Sequence, residues 1–314
     1  MVSYIHDRRG LCARAAKGEE MNGFVEVAKN VYYLAPPVPE FGGGVTLVTA
    51  TSGNILIDCG AFDYSVTKFI APALKGLKLD VKNISYLFFT HCSHDNIGGV
   101  HKLKQLNPDI RIMTFSGQAE RLKNPTNAFL TKWNDYLDYS PPFRELRGIL
   151  PNAAINAEDE FFKTELVPKH AEGHDEDCVC WYHMPSGTMI SGDAIQGNGT
   201  DETGMAFITS LERYRNTLDL ISEEVPKNMI CSKDFRGFPA VIIGEEERRK
   251  AIEPSYDALN DYIAFVDRYA KLVRKKKENL DPIEVVNAYF ENKKKPAILG
   301  YAIRSMSEFL KAKR

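Results

Sequence analysis

The sequence predicts an α/β layered domain followed by a run of helices. Three observations carry this. Short apolar segments separated by Gly and Asn turns fill residues 23–60; strand-like and helix-like segments then alternate; and after Gly244 the chain becomes heavily charged with helical spacing. Residues 25–34 alternate as strand, with a turn at Lys29-Asn30. Gly42-Gly43-Gly44 marks another turn, and residues 45–51 and 54–58 read as a hairpin around Ser52-Gly53 that ends at Asp58-Cys59-Gly60. Val66, Phe69, Ile70, Ala73, Leu74 and Leu77 share one helix face. A strand at 84–89, a helix at 99–106 and a strand at 110–115 follow. Residues 116–150 are less regular, rich in aromatics and broken by Pro141-Pro142, which suits either a lid or pocket wall or a plain packing segment. Strands resume at 161–167, 178–183, 188–191 and 228–231, with a helix at 211–225. Residues 245–277 form a long charged helix, Asp281-Pro282 starts a shorter one, and 296–313 form a third. The expected units are an N-terminal extension (1–22), a main domain (23–244) and a helical C-terminal extension (245–314).

Composition narrows the function classes. The chain has 314 residues, 44% hydrophobic and 26% charged, enough for one large core. A net charge of −2 gives no general attraction to nucleic acid or to an acidic membrane. The basic runs at 274–277, 293–295 and 311–314 read as solvated helix faces; whether this tail mediates a homodimer or covers a cleft stays open. The N-terminus is polar and lacks a signal-peptide core, and no apolar run reaches the ~20 residues that span a bilayer. Six scattered cysteines suit reduced, buried thiols and a cytoplasmic location rather than a disulfide framework, although Cys178 and Cys180 share one strand face and allow a redox or metal pair.

The chemistry concentrates in residues 84–99, Ile-Ser-Tyr-Leu-Phe-Phe-Thr-His-Cys-Ser-His-Asp-Asn-Ile-Gly-Gly. A strand runs into a polar loop carrying His91, His94, Asp95 and Asn96, then two glycines that let the following helix pack closely. Imidazoles and a carboxylate on a rigid strand edge are what a metal-assisted hydrolase needs. The stretch resembles the metallo-β-lactamase superfamily signature Thr-His-x-His-x-Asp-His-x-Gly-Gly, with Ser93 in place of the second His and Asn96 in place of the third. The resemblance extends over roughly residues 23–244. Ala171-Glu172-Gly173-His174 sits where the family has Pro-Gly-His, Ser191-Gly192-Asp193-Ala194 matches the segment of the bridging carboxylate, and Ile230-Cys231-Ser232-Lys233-Asp234-Phe235 matches the segment of the last His ligand. Lys233 then replaces that His; an alignment through Arg236-Gly237 puts Arg236 there instead.

This resemblance implies an αββα sandwich and at most one divalent metal ion (zinc, iron or manganese) on His91, His174 and Asp193, or none. Asp95, Lys233 and His94 are the expected catalytic side chains. A protonated Lys has no lone pair for a metal, so Lys233 is expected in the second-metal space, paired with Asp95 or Asp193 and stabilising negative charge. His94 could rotate inward to replace the ligand lost at Ser93, cap the next helix, face solvent or act as an acid or base. Asp95 could be ligand, general base or helix N-cap. Asp58 is expected to orient the loop. His6, His101, His170 and His183 are read as incidental, surface or strand positions, and a Ser93 nucleophile lacks a nucleophile-elbow pattern. The implied activity is hydrolysis of a small ester, thioester or lactone. The alternatives are a metal-free isomerase or lyase in the same cleft, and a non-catalytic binding module.

Overall fold

A computed structural model describes residues 23–37, 42–141, 145–156, 165–276 and 280–311. The expected N-terminal extension, and residues 161–164 of one expected strand, lie outside them. Twelve strands form two sheets among the described residues. The first runs β1 (Val25–Ala28), β2 (Val31–Leu34), β3 (Val45–Ala50), β4 (Gly53–Ile57), β5 (Ile84–Phe88), β6 (Arg111–Phe115) and β7 (Ala153–Ile155), in that spatial order. Its first four strands form an antiparallel meander; β4, β5, β6 and β7 pair in parallel. The second sheet has the order β12 (Val241–Ile243), β11 (Asn228–Cys231), β10 (Thr188–Gly192), β9 (Val179–His183) and β8 (Leu166–His170), with β10 and β11 parallel. The expected turn at Asn30 is present, held in a left-handed conformation (φ 67°). Two edge strands, β7 and β12, were not legible in the sequence; both are three residues long and too short to show a period.

Alternation within the strands builds four layers. In β4, Ile55 and Ile57 face the space between the sheets while Leu56 packs on the helices outside. In β11, Ile230 faces inward while Met229 and Cys231 face the opposite helices. Both sheets are therefore buried on both faces, as parallel strands with crossover helices require. On the first sheet lie a helix over Ser65–Ile70 that continues as α1 (Ala71–Gly76), α2 (His94–Ile97) and α3 (Val100–Leu106). On the second lie α6 (Leu211–Glu224), α7 (Glu245–Lys276), α8 (Pro282–Tyr289) and α9 (Leu299–Lys311). Residues 116–150, expected to be irregular, hold α4 (Ala119–Lys123), α5 (Pro125–Trp133) and a 3₁₀ segment, Asn134–Tyr139.

The C-terminal helices are built into the core. Tyr262, Val285, Met306 and Phe309 join Met189, Tyr214 and Met229 in one buried cluster. The hydroxyl of Ser305 accepts from the Ile208 backbone N–H, and the Tyr262 hydroxyl accepts from Ala206. Pro254 sits inside α7 and packs against Gly237. Phe309→Ala should therefore cost about 3–5 kcal/mol, as for a large aromatic removed from a core. A urea unfolding curve with an unchanged midpoint would show that α9 is only loosely attached.

Candidate active site

The carboxyl ends of β5, β8, β10 and β11 meet at one edge of the sandwich, the location where open parallel sheets hold ligands. Loop 89–93 follows β5, Asp193 follows β10, Lys233 follows β11, and His174 lies on the β8–β9 connection. Backbone bonds tie these loops together: Val179 N–H donates to Thr90 O (2.9 Å), Cys59 N–H to Asn96 O (2.8 Å) and Ser232 N–H to Gly192 O (3.0 Å). The Trp181 indole and the Gln118 amide both donate to Phe89 O, at 2.8 and 3.1 Å. Gly98 and Gly99 lie so close to Ala61 and Cys59 that a Cβ on either would fall within 2.4 Å of a carbonyl oxygen. Gly42, with φ +92°, lies equally close behind Asp95.

Asp193 is the centre of the site. The Ser232 hydroxyl donates to its Oδ1, which leaves Oδ2 facing His91 Nε2 (4.0 Å), His174 Nε2 (3.7 Å) and Lys233 Nζ (3.7 Å). Lys233 Nζ also lies 3.5 Å from Asp95 Oδ2, so the ammonium bridges two carboxylates. Burial alone would lower the Lys233 pKa, but Asp193 and Asp95 hold it above the ordinary lysine range. Burial would likewise raise Asp95; Lys233, then His94 and His91, reverse that and hold it well below the usual carboxylate range. Both groups are charged at neutral pH. Arg236 donates to Thr200 O at 2.7 Å on the surface, whereas Lys233 reaches the Asp95 and Asp193 carboxylates.

Hydrogen bonds fix the tautomer of His91. Asp58, in a left-handed backbone conformation (φ 62°), accepts from Thr90 N–H (2.9 Å) and from the Thr90 hydroxyl (2.8 Å). That hydroxyl has no second proton, so it can only accept from His91 Nδ1, 3.1 Å away. The His91 Nε2 lone pair then points at Asp193, and this buried nitrogen has no hydrogen-bond partner. His174 Nδ1 lies between the Gln196 amide nitrogen at 2.6 Å and Phe207 O at 3.1 Å, which leaves Nε2 facing Asp193. The same amide nitrogen donates to the carbonyl of Asp193 at 3.0 Å. Burial pushes the His174 pKa down to about 4 against the opposing pull of Asp193, so its imidazole is neutral at pH 7. The ligand-type atoms of His91, His174 and Asp193 all lie within 4.8 Å of one another. Two buried imidazoles and a carboxylate, with an orphaned buried nitrogen aimed between them, fit a divalent cation.

Other residues named by the sequence have different places. Ser93 is the N-cap position of α2, and Asp95 sits within the helix rather than capping it. His94 lines the cavity but is not in the group of clustered ligand atoms. Asn96 is buried behind the loop, its amide nitrogen 3.5 Å from Thr90 Oγ1. His170 pairs with Glu172 at 2.9 Å, and His183 is buried beside Glu165. Cys178, Cys180 and Cys231 are buried free thiols with pKa values raised chiefly by burial.

A cavity of about 850 Å³ opens onto this centre. Its far wall holds residues that motif reading missed: Arg121 and Lys132 from residues 116–150, Phe207, and Tyr301 from α9. Tyr301 packs edge-on against Trp133 and Phe207 at 5.4 and 4.9 Å, and Phe207 packs edge-on against His174 at 5.3 Å. The aromatic composition of 116–150 was the one sequence signal for this wall. Nothing in the sequence linked residue 301 to it.

Comparison with known proteins places the chain in a family. The sequence model of the metallo-beta-lactamase superfamily matches residues 38–232, and the chain belongs to that superfamily. A curated Drosophila melanogaster protein, "Beta-lactamase-like protein 2 homolog", is 27% identical over 253 residues, spanning 80% of this chain and 75% of that one. A metallo-beta-lactamase family protein from Thermus thermophilus superposes with a TM-score of 0.66 over 91% of this chain and 94% of its own, at 14% identity. A Cronobacter sakazakii metallo-beta-lactamase described by a HARLDQ motif does so with a TM-score of 0.57 over 77% and 88%, at 15% identity. No helix among the described residues is long and apolar enough to cross a membrane.

Two predictions test this wiring. An Asp58→Asn amide would donate to the Thr90 hydroxyl, which would then donate to His91 Nδ1 and move the ring proton to Nε2. Metal affinity, read by calorimetric titration, should fall about 10–100-fold while the fold persists. In the metal-free protein, burial raises the Asp58 pKa to about 6. A carboxyl raised in the folded state stabilises the fold below its unfolded pKa and loses that contribution as pH rises through the folded value. The Asp58 contribution should thus fall by a few kcal/mol between roughly pH 4 and 7, while His174, with its lowered pKa, adds stability as pH rises over the same range. Asp58→Asn should therefore make the unfolding free energy rise more steeply with pH across that window than in the wild type, read from urea unfolding at each pH.

Proposed function

We propose that this protein is a hydrolase of a small carbonyl compound, an ester, thioester or lactone, working with one divalent ion on His91, His174 and Asp193. The observation that carries this reading is the Lys233 ammonium, 3.5 Å from Asp95 and 3.7 Å from Asp193. A fixed cation between those two carboxylates leaves no room, electrostatically, for a second metal beside it. Such an ion supplies Lewis-acid polarisation and a water of lowered pKa. The chain's own residues do the rest. Lys233 keeps its proton at every working pH and stabilises the oxyanion that forms as the carbonyl is attacked. Asp95 stays ionised and accepts a hydrogen bond from the attacking water, orienting it. Its depressed pKa makes it a poor final store for the proton. His94, at the cavity wall, is the exchangeable acid or base that can pass that proton to solvent. The aromatic wall excludes water around the reacting carbonyl.

A Cronobacter neighbour departs from the superfamily signature at the same two positions. HARLDQ departs from His at the third and sixth letters, as His91-Cys92-Ser93-His94-Asp95-Asn96 does here, and a described variant of that protein changes an Arg, a Gln and a Lys to His. Elemental analysis of the purified chain should give about one divalent ion per molecule. His174→Ala should abolish both metal and esterase activity. Lys233→His together with Asn96→His should raise the stoichiometry toward two. A wild-type protein already carrying two ions, or one that hydrolyses carbonyl esters equally well without metal, would defeat the proposal.

A further inference from the structure

We infer that Tyr301 is a further catalytic residue, whose hydroxyl donates a hydrogen bond to the leaving-group atom of the substrate; this rests on the hydrolase reading of the same cavity. Tyr301 stands on α9, beyond the residues that the superfamily model matches. Its ring is held edge-on against Trp133 and Phe207, with centroids 5.4 and 4.9 Å away. The backbone beneath the ring is held as well. Gly300 lies so close to Tyr139 O that a Cβ there would overlap it, and Ile298 N–H donates to Glu202 O at 3.1 Å. The ring therefore lines the cavity in one orientation.

Tyrosines elsewhere in the fold satisfy their hydroxyls. Tyr33 donates to Ser232 O at 3.0 Å, and Tyr262 donates to Asn198 Oδ1 at 2.6 Å. Among the described residues the Tyr301 hydroxyl has no such partner. It is nevertheless within electrostatic reach of the reaction centre. Burial first, then Asp95, Glu202 and Asp193, push its pKa well above the ordinary tyrosine range. The phenol keeps its proton at working pH and is a donor rather than a base. The charged donors on the same wall are matched by acids: Arg121 and Lys132 both close on Asp175, at 2.9 and 2.5 Å, and Arg121 reaches Glu176 at 3.1 Å. In the proposed reaction the carbonyl oxygen has Lys233 and the attacking water has Asp95, but the leaving oxygen or sulfur still needs a donor. A carbonyl seated at Lys233 projects its leaving group toward the far wall, where Tyr301 stands. The new C–O bond forms from water as the old acyl bond breaks, and the electron pair of the old bond stays on the leaving atom. Tyr301 stabilises that charge through its hydrogen bond and keeps its own proton, while the leaving atom takes up the proton released by the water.

The full-length, metal-loaded protein would be assayed on phenyl acetate and on 4-nitrophenyl acetate. The two share an acyl group and differ in how much help the leaving oxygen needs. Tyr301→Phe keeps the ring and its packing and removes only the hydroxyl. It should lower kcat/KM about thirtyfold on phenyl acetate and about threefold on 4-nitrophenyl acetate, as for a hydrogen bond lost from a developing charge. The urea unfolding midpoint should not move. Equal losses on both esters, or no loss, would overturn the leaving-group role. Binding decides independently of turnover. 4-Nitrophenolate carries the leaving oxygen, and nitrobenzene lacks it. Equilibrium dialysis, at a pH where the phenolate prevails, should show Tyr301→Phe weakening 4-nitrophenolate about tenfold while nitrobenzene binds as to wild type. If neither ester is hydrolysed but that difference in binding persists, the hydrolase reading fails and Tyr301 stands as the donor to a bound oxygen. If Tyr301→Phe binds 4-nitrophenolate as tightly as wild type does, the assignment to Tyr301 fails, whatever esterase activity is seen.

Discussion

Everything at this site depends on one ion pair network: a lysine ammonium held between two carboxylates at the joint of two sheets. Burying a charge is costly unless it is paired with good geometry. Lys233 meets that condition with Asp95 and Asp193 on either side, and each carboxylate has its own anchor. Ser232 holds the other oxygen of Asp193, and the backbone of Gly42 closes behind Asp95. Removing any member would leave an uncompensated charge in a cleft with little water. The network places a fixed positive charge beside the clustered imidazoles.

The metal-type residues are organised by groups that never touch the metal position. Asp58, Thr90 and His91 form a relay in which each proton has one place to go. Phe207 and Gln196 hold the His174 ring in place. Burial keeps His174 neutral, which a ligand must be. Residues that would have been ligands in an intact signature have moved to scaffold duties. Asn96 backs the Thr90 hydroxyl, and Ser93 starts a short helix.

The C-terminal helices change how the cavity should be understood. The superfamily model ends at residue 232, yet α9 closes one side of the cleft and places Tyr301 against Trp133 and Phe207. Trp133 and Lys132 come from the segment after β6, so the far wall joins residues about 170 positions apart in sequence. Rigid packing through α9 couples the shape of the pocket to the second core, since Met306 and Phe309 lie in that core.

The sequence by itself determined the layered fold, most of the strands and the identity of the clustered residues. Alternating apolar positions and glycine turns are local signals, and the Thr90–Gly99 stretch keeps enough of a known pattern to be legible despite Ser93 and Asn96. Which of Lys233 and Arg236 reaches the clustered residues was open in the sequence, because both follow β11 within a few residues and both are cations. Only the tertiary structure decided that, by turning Lys233 toward Asp193 and Arg236 toward the Thr200 carbonyl. It also decided the His91 tautomer, the cation pair on Asp175 and the reach of α9. These depend on which distant loops share one edge of the sandwich, and a linear pattern of residue types carries no such distances.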